Sequence, residues 1–151
     1  MQNTIFLSDD LQAILDSKAA KIGITTAAYI TDFLTEAFRD ELNNVPSKSY
    51  STLYLELKKA VSEYIRDNNL KKGDRFTLRD IPYYENLSFT TVHGTQVVPA
   101  AIRARLGRSF NEDVRSRKSL EFANIGRALT KSGKPAFSKA NNTSAAIYEI
   151  I

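Results

Sequence analysis

Residues 4–38, TIFLSDDLQAILDSKAAKIGITTAAYITDFLTEAF, carry the pattern that decides the fold. Within Asn3–Leu7 the β-formers Thr4, Ile5 and Phe6 predict a short strand, with Ile5 on one face and Thr4 and Phe6 on the other. Ser8 followed by Asp9 and Asp10 predicts a helix start, because serine caps the first turn and the acids complement the positive end of the helix dipole. Leu11, Ile14, Leu15, Ala19 and Ile22 then fall on one stripe, and Gly23 ends that helix. Thr25 or Thr26 caps a second helix, in which eight of the twelve residues 27–38 are apolar: Ala27, Ala28, Tyr29, Ile30, Phe33, Leu34, Ala37 and Phe38. These cover more than half the helical circumference, too much for one contact stripe. A strand and two helices of this size cannot bury such a surface alone, so the pattern predicts an obligate homodimer.

The order of strand, L-S-D-D-L, amphipathic helix, G-I-T-T and apolar helix resembles the ribbon-helix-helix family of the Arc/MetJ/CopG type, over residues 1–42. The resemblance implies that two chains pair their strands into an antiparallel ribbon that enters the major groove of DNA. Gln2, Thr4 and Phe6 would then point outward to the bases, where Gln suits adenine and Thr or Phe a thymine methyl. Ile5 and Leu7 would point inward and, with Tyr29, Ile30, Phe33, Leu34 and Phe38, form the dimer interface. Backbone N–H groups at Thr25 and Thr26 would clamp a phosphate at the helix start. One departure from the family stands out. The ribbon holds no Arg or Lys, so its task is open between reading DNA and dimerising.

Charge divides the chain. Residues 1–46 hold three bases against seven acids, a net −4, and residues 47–151 hold 18 bases against 10 acids, a net +8. Residues 98–139 alone net +7. Such asymmetry points to a polyanion-binding portion joined to one with another task.

Residues 43–49 break both periodicities and read as a linker to a basic domain over 50–151. A helix is predicted over 51–66, with Leu53, Leu57, Ala60, Val61, Tyr64 and Ile65 on one face. Arg75–Pro82 reads as a short strand leading into a turn or brief helix. Residues 83–97, with His93-Gly94 in a turn, yield no assignment. Pro99 opens a helix running to about 116, whose buried arc is Ile102, Leu106, Phe110 and Val114. The opposite arc holds Arg105, Arg108, Asn111 and Arg115, residue types suited to phosphates and purine edges. The plainer reading is a solvated face with Arg108–Glu112 as an i,i+4 pair, while Arg103 near the apolar arc is expected to snorkel or to pair internally. Glu121–Leu129 and Ala145–Ile150 look strand-like around a loop bearing Lys131, Lys134 and Lys139.

This order is that of a winged helix-turn-helix, whose wing lies along the sugar-phosphate backbone. The segments RFTLRDI, RLGRSFNEDV, GKPAFSK and YEI also resemble an uncharacterised C-terminal family of bacterial mobile-element proteins, across 74–151. That resemblance implies no established activity.

Enzyme chemistry finds little footing. With no Cys and the lone His93, neither a metal site nor a thiol nucleophile is expected, and no nucleophile stands at a convincing spacing from a base. No cofactor or small-molecule ligand is inferred. MQNTIFLSDD lacks a basic and apolar leader, and no stretch approaches the roughly 20 apolar residues of a membrane span, so a cytoplasmic protein is expected. The fold expected is α+β, mostly α: a ribbon-helix-helix plus a winged-helix-like domain. The function expected is a dimeric, sequence-specific binder of double-stranded DNA, with assembly beyond the dimer left open. Its role would be as a repressor or regulator, or as a plasmid accessory in the relaxosome or in partition. The alternatives are a ribbon-helix-helix dimer whose C-terminal domain binds a partner protein, as antitoxins do, or an RNA-binding protein.

Overall fold

The computed structural model describes residues 4–38, 48–92, 95–117, 119–140 and 143–151. Gln2, Asn3, linker residues 43–47 and the expected turn at His93-Gly94 lie outside the described residues. Over the described residues the fold is α+β, about 54% helical, with five α-helices and small antiparallel sheets.

Local signals set the first two helices. Helix α1 spans Asp9–Ile22, where Ser8 accepts from the Leu11 N–H and Gly23 closes the helix at φ 70°. Only glycine takes that left-handed backbone without strain. Helix α2 spans Thr26–Ala37, and its cap is Thr25, which accepts from the Ala28 N–H. Ahead of them, residues 4–8 form no strand. The β-formers at Thr4–Phe6 are there, but a strand needs a partner, and the described residues of this chain offer none.

Helix α3 spans Tyr50–Asp67 and buries Leu53, Tyr54, Leu57 and Val61. Strand β1, Arg75–Thr77, passes into a 3-10 turn over Leu78–Asp80 and the four-residue helix α4, Pro82–Glu85. The stretch without an assignment holds a hairpin of β2, Thr90–Val92, and β3, Thr95–Val97. Helix α5, Pro99–Ser116, buries Ile102, Leu106, Phe110 and Val114, the arc that its periodicity marks. The single long strand expected over Glu121–Leu129 is instead a 3-10 turn at Leu120–Phe122 and the short strand β4, Ile125–Arg127. The expected basic loop also differs, since its second half is strand β5, Phe137–Ala140, paired with β6, Thr143–Ile150.

Strand β6 is the spine of the main sheet. It pairs antiparallel with β1 through Phe76↔Tyr148, with β4 through Arg127↔Tyr148, and with β5 through Phe137↔Ala146. Phe110 of α5 meets two rings edge-to-face, Tyr148 of β6 at 4.8 Å and Phe122 of the 3-10 turn at 5.1 Å between ring centroids. Such aromatic pairs add about 0.5–1.5 kcal/mol to the burial itself.

The two helices α1 and α2 rest on this body. Ile24, in the turn between them, packs on the main core, and Asp32 of α2 accepts from the Ser51 N–H. At the same joint a buried polar cluster forms. Tyr54 donates to Asp113 Oδ2 at 2.8 Å, and Lys58 Nζ lies 3.5 Å from the same oxygen. A Cβ on Gly23 would lie 3.2 Å from Asp113 Oδ2 and 3.3 Å from Lys58 Nζ, so the turn presses on this cluster. Burial, then the Asp113 charge, pushes the Tyr54 hydroxyl far above its ordinary pKa, which keeps it a donor.

Candidate nucleic-acid interface

The basic half of the chain gathers its arginines in an open groove of about 840 Å³ between α5 and the β5–β6 hairpin. Arg103, Arg108 and Arg115 enter it from α5, Arg79 from the turn after β1, and Arg127 from β4. Among the described residues that line it there is no carboxylate. The close approach of elements here depends on Gly107, where a Cβ would come within 3.1 Å of the Tyr84 hydroxyl.

Each guanidinium is held differently. Arg127 donates to Asn111 Oδ1 at 2.9 Å and to the Ala136 carbonyl at 3.3 Å. Its guanidinium carbon also sits 4.9 Å from the Phe137 ring centroid and 5.4 Å from that of Tyr148. Arg103 donates to the Glu85 carbonyl at 3.3 Å in an exposed bond at the groove, not in an internal pair. Arg115 pairs with Glu112 at 2.7 Å, on the exposed surface where such a pair is worth little. Glu112 therefore takes Arg115 rather than the expected Arg108, and Arg108 makes no ion pair among the described residues. Burial holds the Tyr148 hydroxyl up at about 12, against the pull of Arg127, so the groove's back wall stays neutral.

The four side chains expected on one polar arc divide between two environments. Arg108, Asn111 and Arg115 line the groove, whereas Arg105 turns toward α3 and lies 3.7 Å from the Tyr50 ring centroid. Cation–π stacking on that ring ties Arg105 to the packing of α3 on α5. Asn111 is engaged by Arg127, which leaves its carbonyl oxygen already occupied. Lys131 and Lys134 stand exposed at the tip of the β4–β5 connection, outside the groove. That tip is closed by Thr130 N–H to Lys134 carbonyl and Gly133 N–H to Thr130 carbonyl bonds of 2.7 and 2.9 Å.

Also bordered by α5, a second cavity of about 630 Å³ takes Thr25 and Thr26 together with Asp16, Glu112 and Asp113. The Thr26 hydroxyl donates to Asp16. A phosphate at this helix start would meet carboxylates, which opposes the clamp expected there. Thr4 and Phe6 are exposed, Phe6 at 93%. Ile5, Phe33, Leu34 and Phe38 are exposed, and Leu7, Tyr29 and Ile30 are half-buried. The described residues thus leave much of the surface expected to need a partner uncovered.

Sequence reading missed Arg79, Arg127 and Phe137. Arg127 sits inside the apolar run Ile125–Ala128, where a charge demands a partner. Phe137, flanked by Lys134 and Lys139, has the interleaving of aromatic and basic residues that marks nucleic-acid surfaces. Among the described residues no group of three His, Cys, Asp or Glu could hold a metal, and no helix is long and apolar enough to cross a membrane. Compared with protein families, curated proteins and solved structures, the chain matches none of them.

Proposed function

We propose that the chain is a DNA-binding homodimer, acting as a transcriptional regulator or as an accessory protein on plasmid DNA. The observation that carries this reading is the groove with five arginines and no carboxylate among its described lining residues. Neutralising phosphates is the main source of affinity for DNA, and arginine suits phosphate through its planar fork.

The dimer rests on the uncovered apolar surface of residues 4–38. Two copies pair Thr4–Leu7 as an antiparallel ribbon and bury Phe33, Leu34 and Phe38 between them, as in ribbon-helix-helix proteins. Two-fold symmetry then presents two grooves, so the preferred sites are palindromes or repeats. In this reading the body acts as a winged helix: the strand order β1-β6-β4 supports it, and the tip at Lys131 and Lys134 serves as the wing. Against a strict helix-turn-helix stands α4, only four residues long and followed by the β2–β3 hairpin. A folded body with its own core favours this reading over an antitoxin-like tail.

The test is fluorescence anisotropy of the full chain on duplex DNA over a range of salt. Arg108→Ala with Arg115→Ala weakens binding and lowers the salt slope by about 2, one for each phosphate no longer neutralised. An unchanged slope removes both arginines from the interface.

A further inference from the structure

The groove has a shape and a wall that narrow its ligand. Reading duplex DNA with a helix requires an element about 10–12 Å across to project into a major groove about 12 Å wide. The basic side of α5 does not project. It forms one wall of a concavity whose other walls are the turn after β1, β4, β5 and β6. Asn111, the side chain there best suited to an adenine edge, is engaged by Arg127. What the groove offers instead is a ring. Phe137 is 56% exposed on β5, with the Arg127 guanidinium behind it at 4.9 Å from the ring centroid. An exposed aromatic beside a line of arginines is how proteins hold unstacked bases, because every base has a face to stack while duplex bases have none free.

We infer that the groove takes a single, unpaired strand of DNA, its phosphates on Arg103, Arg108 and Arg115 and one base on the Phe137 ring. This rests on the nucleic-acid reading of the groove and deepens it. The protein then engages DNA where the strands have parted, or at a single-stranded flank of a duplex site.

Anisotropy of the full chain, at one salt concentration, compares a labelled strand of about 12 nucleotides with the same strand annealed to its complement and with RNA of that sequence. The single DNA strand binds more tightly than the duplex. Phe137→Ala weakens that binding by about tenfold, Phe137→Trp restores it, and neither moves the duplex. Melting curves of the two variants confirm that both fold. Duplex or RNA bound at least as tightly as the DNA strand overturns the inference, as does a Phe137→Ala variant with undiminished single-strand affinity. In those cases the groove reading survives if Arg108→Ala with Arg115→Ala still weakens binding. If that double variant binds every probe unchanged, the groove reading itself fails.

Discussion

In the hairpin of α1 and α2 the buried apolar side chains are Ala19 and Ala28, whereas α5 by itself sinks Ile102, Leu106, Phe110 and Val114. Both regions are amphipathic in sequence, yet one closes its core and the other does not. The body can do so because α3, α5 and the sheet around β6 supply three surfaces that face one another. The hairpin has two short helices, and its phenylalanines Phe33 and Phe38 stay exposed among the described residues. Apolar pattern therefore says that a surface will be covered, but not by which chain. Charge follows the same division, with the acidic part lying where association is proposed and the basic part where the groove is.

Four substitutions or conditions test this contrast. The largest effect is expected from Phe33→Glu with Leu34→Glu, which places two charges in the proposed dimer surface. Light scattering is expected to show the mass falling by half, while the body keeps its melting transition. Retention of the dimer would remove these residues from the interface. Phe110→Ala should act on the other side of the contrast, costing about 3–5 kcal/mol in urea unfolding, because its edge-to-face ring pairs vanish and a cavity is left behind. Its dimer mass should stay unchanged below the transition.

High pH is expected to weaken the body next. Tyr148 is held neutral by burial up to about 12, while an unfolded tyrosine ionises near 10. The stability this represents is complete below pH about 10 and is lost as pH rises through 12, because the unfolded chain releases the proton first. A midpoint in urea that declines over that range, together with delayed phenolate absorbance, checks it. The smallest effect belongs to the joint. Gly23→Ala should cost about 1–2 kcal/mol, from a left-handed backbone and a methyl pressed on the Asp113 carboxylate. Gly133→Ala shares the backbone strain at φ 77° but meets nothing within 4 Å. A larger loss at Gly23 than at Gly133 would show that the hairpin and the body are coupled through the buried cluster.

The caps were legible because they are local. Ser8, Thr25 and Gly23 act within one turn of their own helix, and Pro99 opens α5 for the same reason. The apolar arc of α5 was legible because four turns of periodicity outweigh any single residue. The short strands were not. Strands β2, β3 and β4 have three residues each, too few for alternation to register, and β5 follows Gly133 and Pro135, which read as loop. The candidate site was half legible for a related reason. Periodicity places Arg105 near Arg108 and Arg115, but which element covers each edge of the helix is a tertiary fact. Tyr50 covers one edge and the β5–β6 hairpin borders the other. Arg79 and Arg127 come to the groove from distant segments, and nothing local in the chain announces that meeting.

The central place of β6 sets an order of assembly during synthesis. Arg75 of β1 waits for Glu149, 74 residues later, before its ion pair and its ladder can form. Until β6 leaves the ribosome, β1, β4 and β5 all lack their neighbour. The contacts of α1 with α2 are local and form early, whereas their seat on the body through Ile24 and Asp32 waits for α3 and the core. In the proposed dimer, two nascent chains on one message meet through their first helices while their grooves are still unbuilt.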